Sequence, residues 1–180
     1  HHGRRASLLN RLIGAGIAYR ELRQGAFGRL AGYHRQFWGG EHAKAYHDDG
    51  AERFEAVFLR YYTPIIDELE QLLDAGDGVT TFCELGSGSG LLIDYLGKRF
   101  KNAKRLIGID LCETTTMATR ETFSDPRMEF VAGDAIDYIS ANGQPNWVYL
   151  THNGVLEYFE PDAAARFFSL IASLKPAVVA

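Results

Sequence analysis

The chain has 180 residues, 46% apolar and 23% charged, a composition that excludes a disordered segment and suits one globular domain with a real core. Its net charge of −4 excludes a general basic footprint for nucleic acid, and no run of 18 apolar residues is present to span a membrane. Two cysteines, Cys83 and Cys112, form no CxxC pair and no disulfide framework, which fits a reducing compartment such as the cytoplasm.

At the start of the chain, His1-His2-Gly3 reads as the remnant of an affinity tag. Arg4-Arg5 ahead of Leu8-Leu9 does not make a twin-arginine signal, because Arg11 and Arg20 break the apolar stretch. Residues 1–44 hold eight basic residues against Glu21 and Glu41, a balance of +6 that leaves −10 for the rest. This basic arm is either a solvated helical segment on an acidic body or a peripheral contact to an anionic surface.

Residues 1–75 read as a helical cap and residues 76–180 as an α/β core, the two forming one compact unit. Between Ala51 and Ala75, apolar residues recur at Phe54, Val57, Phe58, Tyr61, Ile65, Leu69, Leu72 and Leu73. Those spacings of three and four mark one buried helix face. Pro64 should kink or split this helix, and Asp74-Ala75-Gly76-Asp77-Gly78 should end it.

From Val79 onward, short β-rich runs alternate with helical stretches. The runs are Val79–Leu85, Arg105–Asp110, Met128–Ala132 and Trp147–Thr151. The helical stretches are Gly90–Phe100, Glu113–Phe123, Ala135–Ala141 and Pro161–Leu174. Such alternation predicts a doubly wound, mostly parallel sheet covered on both faces. Ligands in these sheets bind beyond the carboxyl ends of the strands, so the first strand–helix turn is the place to look.

That turn is Glu84-Leu85-Gly86-Ser87-Gly88-Ser89-Gly90. Its glycines allow a sharp bend and close approach of a ligand, and the helix after it offers free N–H groups. A dinucleotide fingerprint anchored at Gly86 and Gly88 needs a third small residue at 91, where Leu91 stands. A P-loop fails as well, since Gly97-Lys98 is followed by Arg99 and preceded at 92 by Leu92.

The pattern acid-x-Gly-x-Gly-x-Gly resembles the first motif of class I S-adenosylmethionine-dependent methyltransferases. Leu106-Ile107-Gly108-Ile109-Asp110 resembles that family's second strand and its closing acid, and Met128–Ala135 its third strand with a Gly-Asp-Ala turn. Trp147–Phe159 resembles the fourth strand and the loop lining the transfer site, and Leu174-Lys175-Pro176 the approach to a fifth. The resemblance implies a Rossmann-like methyltransferase fold and a cofactor set of Glu84, Gly86, Ser87, Gly88, Gly90, Asp110, Leu111, Asp134, Ala135 and Thr151. In it, Asp110 holds the ribose hydroxyls and Asp134, with the next N–H, reads the adenine edge. Alternatives stay open: Glu84 could cap the turn, and Asp110 and Asp134 each suit a helix N-cap. The family's Lys-Pro-Gly-Gly here reads Lys175-Pro176-Ala177-Val178, and its sixth and seventh strands have no counterpart, so the chain is expected to be incomplete.

The resemblance implies in-line methyl transfer from S-adenosylmethionine, giving S-adenosylhomocysteine, to an acceptor aligned by the protein. His152 is the first candidate for a base, followed by Tyr158 and Glu157. No metal is predicted: His42 and His47 are five apart, and no acid cluster joins them or His34. The stretch Thr151-His152-Asn153-Gly154 lacks the Pro-Pro signature resembling nucleic-acid amino-methylating enzymes, so nucleic acid is not the expected acceptor. The N-terminal region holds the aromatics Tyr19, Phe27, Tyr33, Phe37, Trp38, Tyr46, Phe54, Tyr61 and Tyr62; the resemblance implies a lid over a small organic acceptor for such a segment, the alternative being that they only pack the arm onto the sheet. Rival readings are a non-catalytic binder or assembly protein on the same fold, an NAD(P)-dependent oxidoreductase, and an aminopropyl transferase.

Overall fold

The structure, a computed structural model, describes residues 8–40, 54–74, 79–151 and 155–179. The N-terminal part is a helical hairpin of α1 (Leu8–Arg23) and α2 (Phe27–Trp38). Gly25, at φ +63°, turns the chain between them. Buried Glu21 clamps the hairpin, accepting hydrogen bonds from Arg20 (2.5 Å) and Arg29 (2.7 Å). These two guanidinium groups hold its carboxyl below the usual carboxylate range. Leu12, Ile13, Tyr19 and Leu22 of α1 stay exposed.

A π-helical turn (Phe54–Leu59) then runs into α3 (Arg60–Asp74). The expected split at Pro64 does not occur; Pro64 sits inside α3, and the irregularity lies in the turn just before it. Pro64 has no N–H to give the Arg60 carbonyl one turn upstream. Just before it, the Thr63 hydroxyl donates to the Leu59 carbonyl.

Among the described residues, five strands and four α-helices follow. They are β1 (Thr81–Leu85), α4 (Leu91–Arg99), β2 (Arg105–Asp110), α5 (Glu113–Thr122), β3 (Met128–Ala132), α6 (Ala135–Asn142), β4 (Val148–Thr151), α7 (Pro161–Leu174) and β5 (Val178–Val179). The strands form one sheet in the order β3-β2-β1-β4-β5, with every pairing parallel. β4 begins one residue later than the β-rich run, because Asn146 at φ +63° still belongs to the turn.

Alternation along each strand feeds two cores. Phe82, Leu106, Phe130, Val148 and Leu150 face α3 and α4, which contribute Ile66, Leu69, Leu92, Ile93 and Leu96. Cys83, Leu85, Ile107, Ile109 and Tyr149 face α6 and α7, which contribute Ile139, Phe167 and Ile171. Covered on both faces, β2 and β4 carry continuous apolar runs, whereas β3 at the sheet edge buries only Phe130. Each large side chain so buried contributes about 2 kcal/mol.

The sheet is wound outward from β1 in both directions, β2 on one side and β4 on the other. Its register aligns Leu85 with Ile109 and Thr151, and Asp110 with Ala132. The carboxyl ends of four strands therefore meet at one edge, over the reversal of strand order. Among the described residues no helix is long and apolar enough to cross a membrane.

Candidate functional site

A cavity of about 860 Å³ opens over that edge. Its floor is the glycine loop with Asp110, Leu111, Gly133, Asp134 and Ala135. Helix α2 covers it with Ala31, His34, Arg35 and Trp38, residues spaced to share one helix face. The π turn supplies Phe54, Val57 and Phe58 on one side. Tyr158, from a short 3-10 turn (Leu156–Tyr158), and Arg166 of α7 complete the wall.

The loop bends through three left-handed glycines, Gly86 at φ +72°, Gly88 at +48° and Gly90 at +75°. Its amides turn toward the protein. Gly86 and Ser87 donate to the Ile109 carbonyl at 2.8 and 3.0 Å, and Gly88 donates to Asp110 Oδ2 at 2.8 Å. The Gly88 carbonyl accepts at 3.2 Å from the buried Thr119 hydroxyl, whose one proton is shared with the Thr115 carbonyl at 2.9 Å. Two of the glycines make room for protein atoms: a Cβ on Gly86 would overlap Val155, and one on Gly90 would sit 2.6 Å from Thr119 Cγ2. The sequence reading assigned that space to a ligand. Gly133 is the open position, with nothing within 4 Å of an added Cβ.

Asp110 is 9% exposed and held at both oxygens, Oδ2 by Gly88 N–H and Oδ1 by Cys112 N–H at 2.8 Å. Each oxygen retains one further acceptor position, on the usual count of four per carboxylate. Asp134 is the N-cap of α6, its Oδ1 accepting from Ile136 N–H at 2.9 Å and Asp137 N–H at 3.4 Å. Its Oδ2 pairs with Arg35 of α2 at 3.3 Å. Ring contacts also seat α2, since Tyr158 lies 4.4 Å from His34 and 5.7 Å from Trp38.

Of the residues singled out in the sequence, Gly86, Ser87, Gly88, Asp110, Leu111, Asp134, Ala135 and Tyr158 line this cavity. Glu84 lies fully buried beneath the loop, and Gly90 packs α4 against Thr119 and Phe130. Thr151, at the end of β4, has a buried hydroxyl without a hydrogen-bond partner among the described residues. His152, His42, His47, Tyr46 and the Glu157 side chain lie outside the described residues. Of the N-terminal aromatics, Trp38 and Phe54 reach the cavity, whereas Tyr19, Phe27, Tyr33, Phe37 and Tyr61 are exposed.

The sequence reading missed Arg35, Val57, Phe58, Thr119 and Arg166. The periodicity of residues 51–75 marked Val57 and Phe58 as part of one buried helix face, but Val57, Tyr61, Ile65 and Leu72 of that face are exposed; a loop-clamping threonine on a distant helix leaves no local signal. Among the described residues no group of three metal-ligating side chains stands together. Cys83 is pushed up to about 12 by burial, with the Glu84 charge adding to it, so its thiol is inert at neutral pH.

Residues 82–177 match the family described as methyltransferase domain. Among solved structures, the chain is similar to the plantazolicin methyltransferase BamL in complex with a triazolic desmethylPZN analog and SAH. That match has a TM-score of 0.61 and 16% identity, and it covers 86% of this chain and 55% of that one. The plantazolicin methyltransferase BpumL, with a pentazolic analog and SAH, gives a TM-score of 0.59 at 18% identity, covering 83% and 56%. BpumL with SAH gives 0.54 at 17%, covering 91% and 58%. The chain thus spans little over half the length of these structures, and at such identities the likeness is one of fold. No curated protein matches the chain in sequence.

Proposed function

The chain belongs to the methyltransferase-domain family, and on that premise we propose that it binds S-adenosylmethionine in the cavity over β1–β4 and methylates a small organic acceptor. The observation that carries this reading is Asp110. Its carboxylate sits at the cavity floor beside the glycine loop, fixed by two main-chain N–H groups and still able to accept two vicinal hydroxyls. Gly133, bare and open next to Leu111, offers a flat surface for a base, and Asp134 and Ala135 offer polar edges beside it. The cavity lies within the roughly 300–1,000 Å³ usual for small-molecule sites. Two of the similar structures named above are complexes with SAH and a desmethylPZN analog, triazolic in one and pentazolic in the other, and the third is a complex with SAH.

The bound cofactor supplies a methyl group already activated by the sulfonium charge. The protein's own work is positioning and exclusion of water. Phe54, Val57 and Phe58 wall one side with apolar surface, and α2 closes the top. Tyr158 is the described residue best placed to orient a polar acceptor atom, and His152, just after β4, is the proposed base for acceptors that must lose a proton.

The test is direct binding by calorimetry. S-adenosylhomocysteine should bind and NAD(P) should not, and Asp110→Ala should weaken binding at least tenfold, since two charge-assisted hydroxyl contacts are lost. Binding of NAD(P) alone would end this reading. Labelled S-adenosylmethionine incubated with a small-molecule extract then separates turnover from mere binding, and methyl from aminopropyl transfer.

A further inference from the structure

The covering helix α2 presents one charged group on its cavity face, Arg35, and that group meets the cap of α6. Asp134 Oδ1 is filled by two helix N–H groups, while among the described residues Oδ2 receives only the Arg35 guanidinium. One acceptor position is left, on the oxygen that faces α2. Beside it lie the open main chain of Gly133 and the partly exposed Leu111.

We infer that Arg35 is a nucleobase-binding residue: it shares Asp134 Oδ2 with the amino group of the bound base and lays its planar guanidinium against that base. This rests on the functional reading above, in which the base lies along Gly133–Ala135. A guanidinium suits the task because it is planar, always charged, and both stacks and donates. The consequence is that α2 is part of the cofactor site as well as its cover. Ala31, His34 and Trp38 ride on the same face and are drawn down with it.

The experiment measures Kd for S-adenosylhomocysteine and for adenosine with the wild type, Arg35→Ala, Arg35→Lys and, as control, Lys98→Ala. Lys98 forms an exposed i,i+4 pair with Asp94 on α4, away from the cavity. Arg35→Ala should weaken both ligands alike, about three- to tenfold. Arg35→Lys should recover less than half of that loss, and Lys98→Ala should change nothing. Arg35 is exposed, so the variants keep their fold, which circular dichroism verifies. Unchanged affinity in Arg35→Ala overturns the inference. So does a loss confined to S-adenosylhomocysteine, or full recovery by lysine. A wild type that binds neither ligand overturns the cofactor reading beneath it, a distinguishable failure.

Discussion

A single hydroxyl illustrates how the glycine loop keeps its shape. Thr119 on α5 is buried and donates to the Gly88 carbonyl, while Asp110 takes the Gly88 N–H. Gly88, beside the cavity, is thus held through both its N–H and its carbonyl. Thr119→Val keeps the shape but leaves that carbonyl with one contact fewer, a cost of about 1 kcal/mol. Urea denaturation should show that loss, and affinity for S-adenosylhomocysteine should fall two- to fivefold as the loop loosens. The loop motif was legible because glycine spacing is a local property of the chain. Thr119 was not, since its role exists only once α5 lies against the loop.

Between elements, the entry to β3 is secured by a small polar clasp. Arg127 pairs with Asp125 at 2.7 Å and donates to the carbonyls of Gly97 and Ala103, binding the end of α4 to the start of β3. Arg127 holds the Asp125 carboxyl down at about 2, first by side-chain hydrogen bonds and then by its backbone N–H. A depressed carboxylate stabilises the fold fully above its unfolded pKa, near 4, and that contribution vanishes as pH falls toward 2. Screening at this part-exposed pair limits it to about 1 kcal/mol. Asp125→Asn should therefore be less stable than the wild type at pH 6 by about that much, with the gap closing by pH 2. Chemical denaturation at a series of pH values measures it. The element boundaries of β2 and β3 coincide with the sequence reading because apolar runs and flanking turn residues are local signals. The π turn was not legible, because apolar spacings of three and four over residues 54–59 read the same as in a regular helix.

For the molecule as a whole, the hairpin of α1 and α2 contributes Glu21 as its one buried residue among positions 12–40, whereas α3 shares the core of the sheet. Deleting residues 1–40 should leave one cooperative thermal transition, its midpoint lowered by only a few degrees, as expected for a loss of about 1 kcal/mol. The same deletion should weaken S-adenosylhomocysteine binding at least as much as Arg35→Ala, because the cavity loses its cover. Calorimetry of the truncated chain reads both. What the sequence by itself determined was the order of strands and helices, the glycine bend and the positions of two acids, one closing β2 and one just past β3. These follow from periodicity and from residue types whose backbone preferences act within a few positions. Only the tertiary structure decided that glycines 86 and 90 admit Val155 and Thr119, and that Asp134 is shared by a helix cap and an arginine 99 positions away. Those facts depend on which surfaces meet when the chain is packed, and contact between distant segments leaves no mark on either segment alone.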